Sequence, residues 1–85
     1  MFNLKGNIAL VTGASQGIGA VIAKKLAFAG AHVICVSRTK EKIKFVSENI
    51  INHGGSSSFH ICDISRPLSI KELIEDSLNE FKKID

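Results

Sequence analysis

The regular alternation of short apolar runs with amphipathic stretches is the feature that most constrains this chain. Residues 8–11, 32–36 and 59–62 are short apolar runs, and the first two have the continuous apolar character of strands buried on both faces of a sheet. Residues 18–26, 39–52 and 69–81 instead repeat their apolar side chains with the period of an α-helix. Between the second helix and the third strand, residues 54–58 predict a loop of two glycines and three serines. The order β-α-β-α-β-α predicts an α/β fold with parallel strands joined by right-handed crossovers.

This order predicts one half of a doubly wound parallel sheet, with strands in the order 3-2-1. Ser69 and Glu72 have the spacing of a capping box, and Pro67 before them suits the start of a helix. That third helix is expected to carry the chain to the far side of strand 1, where a fourth strand belongs. The sequence stops at Asp85, so we expect a Rossmann half truncated before its fourth strand.

Composition places the chain among globular proteins. It has 85 residues, 45% of them hydrophobic and 22% charged, with a net charge of +3. Disordered chains are poorer in apolar residues, and 85 residues leave room for one domain, 1–85. Cys35 and Cys62 lie in apolar stretches without a C-x-x-C motif or further ligands, so we expect free buried thiols in a reducing compartment, with no disulfide and no metal site.

Two classes of partner are disfavoured by the sequence. The chain contains no apolar run of the ~20 residues that span a membrane, and residues 1–5 lack a secretory or transit signal, so a cytoplasmic protein without a membrane partner is expected. The lysines of the second helix could suggest a nucleic-acid surface, but only Phe45 supplies an aromatic ring among them. Because nucleic-acid surfaces usually combine basic and aromatic side chains, we expect no nucleic-acid partner. The three histidines show no metal-ligand spacing.

A glycine-rich segment joins the first strand to the first helix: Thr12-Gly13-Ala14-Ser15-Gln16-Gly17-Ile18-Gly19. Gly13 permits a sharp turn, Gly17 leaves room for a phosphate, and Gly19 lets the helix approach the sheet closely. The N–H groups at the helix start, with the positive end of the helix dipole, favour an anion. The alternative is a tight turn without a ligand. Because a strand precedes the motif and a helix follows it, we predict a pyrophosphate site at six residues: Gly13, Ser15, Gln16, Gly17, Ile18 and Gly19.

The second strand is followed by Ser37-Arg38-Thr39, where a dinucleotide fold places the residue that recognises the adenosine ribose. An acidic residue there would bind a free 2′-hydroxyl, but this chain has none. Arg38 as a forked donor, with Ser37 and Thr39 as hydroxyl partners, predicts a 2′-phosphate and hence NADP(H). The alternative is that Arg38 belongs to the solvated start of a lysine-rich helix.

Asp63-Ile64 follows the third strand on the same side of the sheet. The carboxylate could accept the adenine amino group, and Ile64 could cover the adenine face. Asp63 could equally begin a turn toward the last helix. Because the glycine motif predicts a nucleotide site, we favour the adenine contact for Asp63.

Together these motifs, with Cys62-Asp63-Ile64 and the opening segment of residues 4–11, resemble the N-terminal part of the short-chain dehydrogenase/reductase family. Within that family the chain is most similar to the 3-oxoacyl-[acyl-carrier-protein] reductases. The resemblance implies an oxidoreductase of fatty acid biosynthesis, with NADP(H) as its cofactor and an acyl-carrier-protein-bound substrate in the full-length family. It also implies a homo-oligomer only where the segments beyond this chain are present.

The resemblance further implies a catalytic Ser, a Tyr-x-x-x-Lys pair and an Asn beyond the stretch matched here. In the family the tyrosine is the general acid that protonates the substrate oxygen. This chain has no tyrosine, so we expect it to contain the cofactor site and no catalytic residue. The alternatives are a non-catalytic nucleotide-binding module and a non-functional truncated remnant.

Overall fold

In the computed structural model, which describes residues 4–63, 65–81 and 84, strands and helices alternate in the predicted order. The elements are β1 (Ile8–Thr12), α1 (Gly17–Phe28), β2 (His32–Ser37), α2 (Lys40–Asn52), β3 (Ser56–Ile61) and α3 (Pro67–Phe81). The helices end close to the glycines that predicted their ends, Gly30 after α1 and Gly54 after α2. The predicted β-α-β-α-β-α half of a doubly wound sheet is therefore confirmed.

The three strands form one parallel sheet in which β2 lies between β1 and β3. Ile8 of β1 pairs with His32 of β2, and His32 pairs in turn with Ser56 of β3. Strands β1 and β2 thus each pair with residues 24 positions further along the chain. This arrangement confirms the predicted order 3-2-1.

The helices cover the two faces of the sheet. Helices α1 and α2 pack on one face, which we call the double-helix face, and α3 packs on the other, the single-helix face. The core of the double-helix face consists of Ala14, Ala23, Ala27, Ala31, Val33, Cys35, Ile43, Val46 and Ile50. The core of the single-helix face is smaller and consists of Ile34, Val36, Cys62 and Leu73. The change of face between α2 and α3 matches the expected crossing toward the far side of β1.

Two expectations about strands are wrong in part. Ser56, Ser57 and Ser58 belong to β3 and not to a loop, because they pair with β2 along their length. The Ser57 hydroxyl also donates to the carbonyl oxygen of Val33 at 3.0 Å. Residues 8–11 of β1 are half-buried rather than buried on both faces, since β1 lies at the edge of the described sheet.

The predicted capping box is also wrong. Helix α3 begins at Pro67, so Ser69 is its third residue and cannot be its N-cap. A proline suits the first helical position because its missing N–H has no partner there in any helix. The turn before it is closed by the N–H of Arg66, which donates to the Asp63 carbonyl at 3.0 Å. In the described part of the chain, no helix is long and apolar enough to cross a membrane.

Candidate functional site

A cleft of about 250 Å³ opens at the carboxyl edge of the sheet, between the glycine-rich loop and the end of β2. It lies where the carboxyl ends of parallel strands meet, which is the usual ligand position in such sheets. Its walls are formed by Gly13, Ser15, Gln16, Val36, Ser37, Arg38, Thr39 and Cys62. Six of the predicted cofactor-binding residues are in this set, so the glycine motif and the Ser-Arg-Thr segment form one site.

Gly13 and Gly19 have the geometric roles that the sequence predicts, whereas the role of Gly17 beside a phosphate stays a prediction. Gly13 and Gly17 have φ angles of 63° and 61°, in the left-handed region that side chains disfavour. Gly19 is required for a different reason. A Cβ at this position would overlap the carbonyl oxygen of Gly13 and lie 2.8 Å from its carbonyl carbon. The start of α1 can therefore approach the end of β1 only because residue 19 has no side chain.

The start of α1, residues 17–19, does not line the cleft, but it follows directly on the lining residues Ser15 and Gln16. Ala14 is fully buried, and its N–H donates to the Val36 carbonyl at 3.2 Å, which fixes the loop to β2. Gln16 is the N-cap of α1 and makes no side-chain capping bond. Its carbonyl oxygen accepts a hydrogen bond from the Ala20 N–H at 3.4 Å. The N–H groups of residues 17–19 precede this bond and have no partner within the helix. Ile18 is 79% exposed beside them. This arrangement suits a pyrophosphate.

The segment after β2 forms the opposite wall. Ser37 is buried, and its carbonyl accepts the N–H of Cys62 at 3.0 Å, which joins the ends of β2 and β3. Its hydroxyl oxygen accepts the N–H of Thr39 at 3.2 Å, so the hydroxyl proton can still be donated. Arg38 is exposed beside it, and Thr39 is the N-cap of α2. A positive charge and a hydroxyl donor therefore lie together in the cleft.

Asp63 lies at the same edge of the sheet but does not line the cleft. Its Oδ1 accepts the Ser65 hydroxyl at 2.6 Å and the Ser65 N–H at 3.0 Å, and its Oδ2 lies 3.8 Å from Arg66 Nε. The bonds from Ser65 lower the pKa of this carboxyl, helped by the Arg38 and Arg66 charges. Asp63 therefore does begin the turn toward α3, which was the alternative role. Its contact with adenine stays a prediction. Ile64 lies outside the described residues.

Three contributors to the site were not predicted. Val36 and Cys62 form part of its walls because the ends of β2 and β3 adjoin, a consequence of strand order that the sequence implied. Lys42 of α2 is exposed, and its ammonium group donates to Gln16 Oε1 at 3.1 Å. No periodic pattern indicates that contact, which joins residues 26 positions apart.

Known proteins match nearly the whole length of the chain. The family model described as short chain dehydrogenase matches residues 7–85. Fatty acyl-CoA reductase of Acinetobacter baylyi is 42% identical over 98% of this chain and 28% of its own length. The 3-oxoacyl-[acyl-carrier-protein] reductase FabG of Escherichia coli is 37% identical over 98% of this chain and 33% of its own.

Solved structures agree with these sequence matches. The crystal structure of a metagenomic short-chain oxidoreductase in complex with NADP superposes with a TM-score of 0.94. The two proteins are 40% identical, over 96% of this chain and 37% of the other. The chain spans about a quarter to a third of the length of the curated relatives that it matches. It belongs to the short chain dehydrogenase family and corresponds to the dinucleotide-binding region of those oxidoreductases.

Proposed function

We propose that residues 1–85 form a partial NADP(H)-binding domain that holds the adenosine and pyrophosphate half of the cofactor for a short-chain reductase. The observation that carries this proposal is the composition of the cleft. Arg38, Ser37 and Thr39 line it, and no carboxylate is among its described lining residues. A free ribose 2′-hydroxyl is best bound by a carboxylate, whereas a 2′-phosphate needs cationic and hydroxyl donors.

The roles of the chain's own residues follow from their positions. The N–H groups of residues 17–19 would bind the pyrophosphate, and Arg38 with the Ser37 hydroxyl would bind the 2′-phosphate. Asp63 and Ile64 would contact the adenine. The bound cofactor would supply the hydride in the reaction. These residues bind and orient it, and none of them is a candidate general acid for the substrate.

The comparison with solved structures supports NADP as the cofactor. The metagenomic oxidoreductase that superposes on 96% of the chain was solved in complex with NADP. At 40% identity the backbone of the site is expected to be shared. The free, buried Cys35 and Cys62 fit a protein of a reducing compartment, and we propose the cytoplasm.

The experiment uses two small ligands that contain only the half of the cofactor assigned to this chain. Adenosine 2′,5′-bisphosphate carries the 2′-phosphate, whereas adenosine 5′-monophosphate does not. We expect the protein to bind the first more tightly by calorimetry. Arg38→Asp should weaken its binding about 30-fold, because a charge-assisted contact of about 1.5–3 kcal/mol is lost and repulsion is added. Equal losses for the two ligands would contradict the assignment to NADP(H).

We further propose an acyl thioester as the substrate of the reductase to which this domain belongs. Two relatives support this class: the names of the A. baylyi and E. coli proteins denote reductases of acyl groups carried on coenzyme A or on acyl-carrier protein. We favour a 3-oxoacyl thioester in fatty acid synthesis, and acyl-carrier protein is then the proposed partner.

NADPH oxidation by the full-length reductase that contains this domain, with acetoacetyl-coenzyme A compared with a saturated acyl-coenzyme A, tests this substrate class. Turnover of the first alone supports the 3-oxoacyl assignment. The 85 residues contain no tyrosine, so we expect no turnover from this chain by itself. Turnover by the purified 85-residue chain would overturn the assignment of this chain to cofactor binding only.

A further inference from the structure

Lys42 lies beside the cleft, in a position that the proposed function does not use. Thr39, the N-cap of α2, lines the cleft, and Lys42 follows three positions later, on the same side of the helix. Its ammonium group donates to Gln16 Oε1 at 3.1 Å, and Gln16 is also a lining residue. The ammonium group is therefore held within hydrogen-bond distance of the cleft wall, between the glycine-rich loop and the start of α2.

The charge of Lys42 is not neutralised by this contact. An amide oxygen accepts a hydrogen bond but carries no net charge. Among the residues that the structure describes, no carboxylate forms an ion pair with Lys42. Lys44 differs, since it lies 3.9 Å from Glu48 across one helical turn. Lys44 thus has a carboxylate partner, whereas Lys42 contacts a residue of the cleft wall and its charge remains available to an anion.

We propose that Lys42, positioned by Gln16, is a second cationic group for the 2′-phosphate and helps to discriminate NADP(H) from NAD(H). This inference rests on the proposed function and extends it to a residue outside the Ser-Arg-Thr segment. Two cations beside one phosphate neutralise its charge more completely than Arg38 alone. The glycine-rich loop thereby contributes to 2′-phosphate recognition through Gln16, which itself has no charge.

The test measures the ratio of affinities for adenosine 2′,5′-bisphosphate and adenosine 5′-monophosphate by calorimetry at low ionic strength. Lys42→Met should weaken binding of the bisphosphate about tenfold, as expected for loss of one charge-assisted hydrogen bond of about 1.4 kcal/mol. Binding of the monophosphate should change less than about twofold. Lys44→Met is the matched control, because it removes the same charge from the same helix, and it should leave the ratio unchanged.

Each result either supports or overturns the inference. An unchanged ratio in Lys42→Met, with preference for the bisphosphate retained, overturns the role of Lys42 but leaves the NADP(H) assignment intact. An equal loss in Lys44→Met also overturns it, since the effect would then be general electrostatics. If the wild-type protein shows no preference for the bisphosphate, the proposed function fails, and the inference fails with it.

The positioning role of Gln16 is tested by a double-mutant cycle on the same ratio. Gln16→Leu should lower the ratio about threefold by releasing the ammonium group, and it should have little further effect in the Lys42→Met background. Lys42→Arg should retain most of the ratio. Additive effects of Gln16→Leu and Lys42→Met would show that Gln16 does not act through Lys42.

Discussion

The two faces of the sheet differ in how completely they are packed. On the double-helix face, Ile43 and Ile50 are fully buried in the core, and the buried Ser47 hydroxyl donates to Ser57 Oγ at 2.9 Å. Within the described ranges, the core of the double-helix face has nine buried residues, whereas the core of the single-helix face has only four. Ser77 Oγ is buried there without a hydrogen-bond partner among the described residues.

The difference shows which face supports the cofactor cleft. Ala14 of the glycine-rich loop belongs to the core of the double-helix face, and α1 approaches β1 closely through Gly19. The loop is therefore held by the better packed layer. The single-helix face contributes Val36 and Cys62 to the cleft but is covered by α3 alone. Mutations on the double-helix face should consequently affect both stability and ligand binding, whereas a mutation of Leu73, which belongs to the other face and does not line the cleft, should affect mainly stability.

The largest effect is expected for Gly19→Ala. The new Cβ would overlap the Gly13 carbonyl, so α1 must shift away from the sheet, at a cost above about 3 kcal/mol in the free energy of unfolding. Binding of adenosine 2′,5′-bisphosphate should fall about 100-fold, because several N–H contacts are lost. Gly17→Ala is the control: no atom lies within 4 Å of its Cβ position, so only the cost of the left-handed backbone remains, about 1 kcal/mol. Similar stability losses in urea unfolding would contradict the close approach of α1.

A pair of core truncations compares the faces directly. Ile50→Ala should lower the free energy of unfolding by about 3 kcal/mol, because the residue is fully buried between α2 and the sheet. Leu73→Ala on α3 should cost about 2 kcal/mol, since its less enclosed site can relax. Urea denaturation of both variants measures the difference. Equal losses would mean that the two faces are equally well packed.

Two buried serines should respond with opposite signs. Ser77→Ala removes a hydroxyl without a partner among the described residues and should stabilise the protein by about 1 kcal/mol. Ser47→Ala breaks the bond to Ser57 and should destabilise it by about the same amount. Thermal unfolding of the two variants at one pH makes the comparison. Destabilisation by Ser77→Ala would indicate that this hydroxyl does have a partner.

The smallest effect is the pH dependence due to His32, at the amino end of β2. Its ring contacts the Ser56 and Ser58 hydroxyls, and burial lowers its pKa below 6.5, partly opposed by the Glu80 charge. The unfolded chain then binds the proton more tightly, so stability should fall as the pH drops below about 6.5. The contribution should stay below about 1 kcal/mol, because the ring is partly exposed. His32→Gln should flatten the stability profile between about pH 7.5 and 5.5, and an unchanged profile would contradict this origin.

The local patterns of the sequence predicted most of the fold and the centre of the site. Strand-helix alternation and the glycine spacing are local signals, so β1, α1 and the turn through Gly13 could be located from them. The error at residues 56–58, which were predicted as a loop, has a tertiary cause. Serines favour turns when considered alone, but here Ser57 is held in β3 by pairing with β2 and by the Val33 carbonyl.

Contacts between distant residues were the part that could not be predicted. The bond from Lys42 to Gln16 depends on how α2 is placed against the glycine-rich loop, and helical periodicity does not specify that placement. The misplaced N-cap of α3 has a local cause, because Pro67 and Ser69 offered two competing helix starts and the proline determined the boundary.

The constant register of the sheet has a consequence for how the chain assembles. Both strand pairings join residues 24 positions apart, so closing either loop costs nearly the same conformational entropy. Chain connectivity therefore favours neither neighbour of β2, and side-chain burial must decide which pair forms first. Doubling the length of either crossover would add only about 0.6 kcal/mol to its closure. The exposed turn at Gly54, away from the cleft, is accordingly a place where the chain should tolerate an insertion without loss of the cofactor site.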